Sequence, residues 1–125
     1  MCFRFVGQNL NLETISATLN ILNAVTYRAG EKPGSLAPNY WLINSSLEVR
    51  ENLEDHICSL LTVLLPKEKE IRQLAAEFGS PSFFCTVASD NEDDDETSSY
   101  VANLHSETIQ GIARLDAHLF LSLSA

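Results

Sequence analysis

Residues 45–78, SSLEVRENLEDHICSLLTVLLPKEKEIRQLAAEF, carry the strongest periodic signal in this chain, and their reading decides the fold. Ser45 followed by Glu48 fits a capping box, in which hydroxyl and carboxylate each satisfy an exposed backbone N–H at a helix start. Leu47, Leu53, Ile57, Leu60, Leu61 and Leu64 then recur at helical steps, with Glu51, Glu54 and Asp55 on the opposite side. A long amphipathic helix beginning at Ser45 is the expectation. Pro66 has no N–H to donate and disfavours a helical Leu65, so that helix stops there, while Pro66 suits the first position of a new one. The second helix runs to Phe78 with Ile71, Leu74, Ala75 and Phe78 inward. Glu68 and Arg72 form an acid-before-base pair on it, and Gly79 is placed to end it.

Working outward toward the start, residues 40–43 read as a strand with Trp41 and Ile43 on one face and Tyr40 and Leu42 on the other. Gly30, Pro33, Gly34 and Pro38 impose a loop before it, and residues 24–28 follow a period-two pattern. Asn11 can cap a helix over residues 12–21, which Asn23 would end, with Ile15, Leu19 and Leu22 sharing a face. Residues 2–6 open the chain as a short strand, Phe3 and Phe5 alternating with Arg4. Toward the other end, residues 82–88 are rich in aromatic and β-branched residues and read as a strand. Residues 90–99 hold Asp90, Glu92, Asp93, Asp94, Asp95 and Glu96 without a base or a large apolar residue, which predicts a mobile acidic connection. Residues 100–104 return to alternation, residues 107–115 give a short helix with Ile109, Ile112 and Ala113 on a face, and residues 118–123 close the chain as a strand with Leu119, Leu121 and Leu123 on one side.

The two ends also resemble each other. Asn9, Leu10, Glu13, Thr14 and Ile15 match Asn103, Leu104, Glu107, Thr108 and Ile109 at a constant offset of 94 positions. Each copy reads as strand, helix, strand, so the match suggests an internal duplication of a βαβ unit with parallel strands. The whole chain, residues 1–125, then forms one two-layer α+β domain in the order β-α-β-β-α-α-β-β-α-β. Its helices pack on one face of a mixed sheet, and the other face stays free. Tyr27, Tyr40 and Tyr100 are candidates for that free face, as a partner surface.

Composition narrows the function. With 125 residues, 45% hydrophobic, there is enough apolar material for one core, and the formal charge of −9 disfavours nucleic acid and anionic membranes as partners. A protein with a basic surface is the easier partner to imagine. The acids are unevenly spread: residues 1–72 carry eight acids and seven bases, whereas residues 73–125 carry nine acids and one base, Arg114. Six of those nine lie in residues 90–96. The start, Met1-Cys2-Phe3-Arg4-Phe5, lacks the regions of a secretion signal, so a cytoplasmic location is expected. Cys2, Cys58 and Cys85 are odd in number and widely spaced, which disfavours both a disulfide framework and a thiolate metal site. Cys58 and Cys85 read as small buried hydrophobes.

No catalytic motif and no cofactor motif stands out. His56, His105 and His118 have no partner at metal-ligand spacing, and His56 beside Asp55 reads as a surface residue on a solvated helix side. The acidic run lacks the interleaved spacing of a calcium loop. Arg28, Gly30 and Trp41 form the one constellation with functional colour: an arginine before a glycine loop and an aromatic on the next strand could hold an anionic or planar ligand. The simpler reading has Arg28 packing along or pairing with Trp41, Gly30 permitting the turn and Trp41 anchoring the core.

Several segments together carry a family likeness: Leu12-Glu13-Thr14-Ile15 opening the first helix, Tyr27-Arg28-Ala29-Gly30-Glu31 after it, the Trp41 strand, the 53–65 helix ended by Pro66, and the closing Ser106-Glu107 helix with its apolar strand. On these the chain resembles the bacterial family of domain of unknown function 4279 (DUF4279) over nearly its whole length, with residues 90–96 a departure in length and composition. The resemblance implies a small bacterial α+β protein without an assigned activity, in a group suspected of immunity roles against polymorphic toxins. The functional expectation is therefore a non-catalytic protein-binding module, immunity-like in kind. The alternative is a small anionic-ligand-binding domain or enzyme centred on Arg28 and Trp41.

Overall fold

Alternation in the first strand sets the layering. The structure, a computed structural model, describes residues 1–28, 39–48, 51–88 and 103–124. Along them run β1 (Cys2–Val6), α1 (Leu12–Leu19), β2 (Ala24–Tyr27), β3 (Tyr40–Asn44), α2 (Leu53–Leu64), α3 (Glu68–Phe78), β4 (Ser82–Ala88), α4 (Ser106–Arg114) and β5 (His118–Ser124). The strands form one mixed sheet in the order β2-β3-β1-β4-β5. The central β1 is antiparallel to β3 and β4, β2 is antiparallel to β3, and β5 is parallel to β4. Phe3 stands opposite Ile43 and Phe83, and Phe5 opposite Trp41. Opposed residues share a face, so these side chains gather on one side of the sheet. There Phe3 meets Phe83 and Trp41 edge-on at centroid distances of 5.1 and 6.5 Å. All four helices close over this side, with Ile15 of α1, Ile57 of α2, Ile71 of α3 and Ile112 of α4 in the same buried cluster. Each such side chain contributes about 1.5–3 kcal/mol by leaving water. The molecule is thus an α+β two-layer domain with helices on one face of a mixed sheet.

Several helix ends differ from the sequence expectation, each for a local reason. α1 stops at Asn20, whose left-handed backbone (φ 48°, ψ 51°) is one that asparagine tolerates, and its N–H donates to the Ser16 carbonyl. Leu22, expected on the inward face, is therefore outside the helix and almost fully exposed. α2 starts at Leu53 rather than Ser45. Asn52 is its cap, accepting the Asp55 N–H at 2.8 Å. The positions three and four beyond Leu47 are Arg50 and Glu51, so no apolar stripe existed to hold an earlier turn in place. Ser45 instead accepts the Leu47 N–H and hydrogen-bonds Nδ1 of His56 at 2.7 Å. His56 is buried, not on the surface, because it lies three residues after Leu53 and four before Leu60, on the apolar stripe. Cys58, two residues on, faces outward rather than into the core, while Cys85 is partly buried against it.

α2 ends before Pro66 as read, but Leu65 keeps helical angles (φ −59°, ψ −36°) and Pro66 sits in a 3₁₀ turn, Leu65–Lys67, rather than at the first position of α3, because a tight turn continues the helical backbone without needing its N–H. Gly79 ends α3 at φ 105°, a backbone region that favours glycine, and its N–H donates to the Ala75 carbonyl. Glu68 pairs with Arg114 on α4, at 2.7 Å from Nε, instead of with Arg72, which donates to the Arg114 carbonyl.

The offset of 94 recurs in the elements themselves. α1 and α4 begin at Leu12 and Ser106, and β2 and β5 at Ala24 and His118, each pair separated by that number. The matched strands β2 and β5 nevertheless dock differently: β2 pairs antiparallel with β3, whereas β5 pairs parallel with β4, a strand outside the repeat. Of the strand expected over residues 100–104, Asn103 and Leu104 lead irregularly into α4 and the rest lies outside the described residues.

Candidate functional site

The face of the sheet turned away from the helices is where the unusual side chains collect. Alternation sends Arg4 and Val6 of β1, Tyr40 and Leu42 of β3, Val25 and Tyr27 of β2 and Phe84 of β4 to that side. Tyr27 stands directly opposite Tyr40. The Arg4 guanidinium lies 4.1 Å from the Phe84 ring centroid and 5.6 Å from that of Tyr40, close enough for cation–π attraction to both. Its Nε is buried and makes no hydrogen bond, and among the described residues no carboxylate pairs with it. A cation held by aromatic faces, with donors left over, can recognise a carboxylate or carbonyl brought to it.

The sequence-derived candidates divide. Tyr27 and Tyr40 lie on this face together, but Tyr40 is buried, as is Leu42 beside it on the same face. Trp41, next to Tyr40, is on the other side: it is fully buried against Phe3 and Phe5, so its indole offers no surface for a ligand to stack on. Its Nε1 has no hydrogen-bond partner. Arg28 is on the surface, paired with Glu13 of α1, whose carboxyl pKa is held below its ordinary value by the hydrogen bond and charge of that guanidinium. Arg28 and Trp41 therefore do not build a common site; Trp41 anchors the core, and the charge of Arg28 is turned to α1. Gly30, Tyr100 and the acidic residues Asp90, Glu92, Asp93, Asp94, Asp95 and Glu96 lie outside the described residues. Arg4 and Phe84 were not singled out in the sequence. The alternation Phe3-Arg4-Phe5 marks Arg4 as facing away from the core, but only the strand order brings Phe84 and Tyr40 to either side of it.

A second polar cluster joins α2 to α4. Glu54 accepts the His105 backbone N–H at 2.9 Å, the Thr108 hydroxyl, and the Cys58 thiol at 3.2 Å. His105 is the N-cap residue of α4 and makes no side-chain cap of its own, so Glu54 does that work from the neighbouring helix. Partial burial pushes the Glu54 pKa up, but the hydrogen bonds from Thr108, His105 and Cys58 outweigh it and hold the carboxyl below its ordinary value. The Thr108 hydroxyl favours the Cys58 thiolate, yet desolvation and the adjacent carboxylate prevail and raise the thiol's pKa. A thiol tuned that way is a poor nucleophile, and the cluster is a brace between helices.

Fold and site together define a two-layer α+β domain whose sheet is closed by helices on one face and carries a cation among aromatic rings on the other. The chain belongs to the family described as domain of unknown function (DUF4279), whose model matches residues 1–125, the whole chain. No curated protein and no solved structure matches it. Among the described residues no helix is long and apolar enough to cross a membrane.

Proposed function

We propose that this protein is a non-catalytic binding module that engages another protein through the face of its sheet turned away from the helices. The observation that carries this reading is Arg4, stacked on Phe84 and Tyr40 with a buried Nε that nothing bonds. A docking partner that brings a carboxylate or carbonyl to the terminal nitrogens of Arg4 gains a charge-assisted hydrogen bond while covering Tyr27 and Val25. The acids of residues 90–96 add long-range attraction to a partner whose overall surface is basic, and an immunity-type role against a toxin is the narrower form of the same reading. A cytoplasmic setting suits three cysteines that form no disulfide.

Pull-down from the native host at low and raised salt tests the proposal, with wild type, Arg4→Ala and a deletion of residues 90–96 compared. One partner is expected with wild type and lost with Arg4→Ala, while the deletion weakens capture mainly by removing its salt sensitivity. Equal capture by wild type and Arg4→Ala, or no partner at either salt, overturns it.

A further inference from the structure

Among the described residues, nothing pairs with the outer edge of β5. His118–Ser124 is the last strand of the sheet among the described residues, and its seven residues pair with β4 on one side only. The His118 N–H donates to the Pro81 carbonyl at 3.0 Å, so the backbone groups of His118 point inward to β4. With the period of two, those of Phe120 and Ser122 do the same, and the N–H and C=O of Leu119, Leu121 and Leu123 point out of the sheet. The helix layer does not cover this edge: Phe120 and Leu121, on opposite faces, are 52% and 43% exposed. A long apolar edge of this kind is normally blunted by a charge, a proline or a bulge, and residues 118–124 contain no Asp, Glu, Lys, Arg or Pro.

We propose that β5 pairs antiparallel with β5 of a second copy of this chain, joining two sheets into one continuous sheet about a two-fold axis at Leu121. The outward backbone groups are centred on that residue, so Leu121 meets its own counterpart and Leu119 meets Leu123 of the second copy. Every outward N–H and C=O of the three leucines then finds a partner. An axis perpendicular to the sheet keeps both helix layers on one side. Charge limits where a second copy can approach. Each chain carries −9, so copies repel wherever acids face each other, and β5 is a stretch of surface strand without a formal charge. A single strand pair lies at the small end of specific interfaces, about 1,200 Å² or below, so the dimer is concentration-dependent. This contact uses the sheet edge and not the face that carries Arg4.

Sedimentation equilibrium on the full chain reads the outcome. Wild type is expected to rise from 13.8 kDa toward twice that mass with concentration. Leu121→Pro removes an outward N–H without removing a bond to β4, and Leu121→Lys places like charges on the axis; circular dichroism and thermal melting establish that each is folded. Either folded variant is expected to weaken the dimer at least about tenfold. Arg4→Ala should leave it unchanged. A monomer up to roughly millimolar concentration, a dimer unaffected in both Leu121 variants, or a dimer weakened by Arg4→Ala alone overturns the proposal.

Discussion

Ile15 and Ile109 hold the same place in the two helices that begin 94 residues apart, yet Ile15 is fully buried and Ile109 is 53% exposed. The helices carry the same opening residues and turn different faces to the core. α1 buries Leu12, Ile15 and Leu19, whereas α4 buries Thr108, Gly111 and Ile112. α1 closes its own N-terminus with Asn11, while α4 has His105 at that place and borrows Glu54 from α2. The edge strands that follow also part ways, β2 short and antiparallel to its neighbour, β5 long and parallel. Local pattern sets where a helix starts and how the chain leaves it. Which side of the helix is buried depends on what the rest of the fold presses against it.

The largest test of this contrast is truncation at the matched isoleucines. Ile15→Ala should cost about 2–5 kcal/mol in urea denaturation, as a cavity in a closed core does, and Ile109→Ala no more than about 0.5 kcal/mol. Equal costs would mean that the two helices are packed alike after all. A second test adds volume instead of removing it. A Cβ at Gly111 would lie 2.8 Å from Cδ1 of the buried Leu61, so Gly111→Val should destabilise by about 1–3 kcal/mol. Ala17→Val, at the matched and exposed position of α1, should cost less than about 1 kcal/mol.

The smallest effects concern the caps and separate them by pH. Asn11→Ala should cost about 1 kcal/mol at any pH, and His105→Ala almost nothing. Glu54 has a folded pKa below its ordinary value, so its contribution is present above the unfolded pKa and is lost as pH falls through the folded one. Wild type should therefore lose stability on acidification relative to Glu54→Gln, with the two curves converging at low pH. Parallel curves from neutral to acid pH would show that the carboxylate does not hold α4.

Much of the sheet was legible in the sequence because a strand's alternation is local: Trp41 and Ile43 separate from Tyr40 and Leu42 without reference to any other strand. β1, β4 and the turn at Pro66 follow from equally local rules. The phase of α4 was harder to read, since Ile109, Ile112 and Ala113 make a plausible inward face until Leu61 of α2 takes the space beside Gly111. Ser45 and Glu48 matched a capping box in composition, but no apolar stripe followed closely enough to hold a helix there. The candidate site was legible in half: Tyr27 and Tyr40 from alternation, Arg4 as a residue facing away from the core, but not the aromatic company that Arg4 keeps.

By itself, the sequence determined the strand faces, the helix that Pro66 interrupts, the cap at Asn11 and the family, since each depends on residues within a few positions of one another or on order along the chain. Only the tertiary structure decided that β3 enters between β1 and β2, that Phe84 and Tyr40 flank Arg4, that Glu54 caps a helix about fifty residues away, and that β5 ends the described sheet with its edge unpaired. Those outcomes depend on which distant segments compete for the same surface. Burial and hydrogen bonding settle that competition over the whole molecule at once, and no window of sequence contains it.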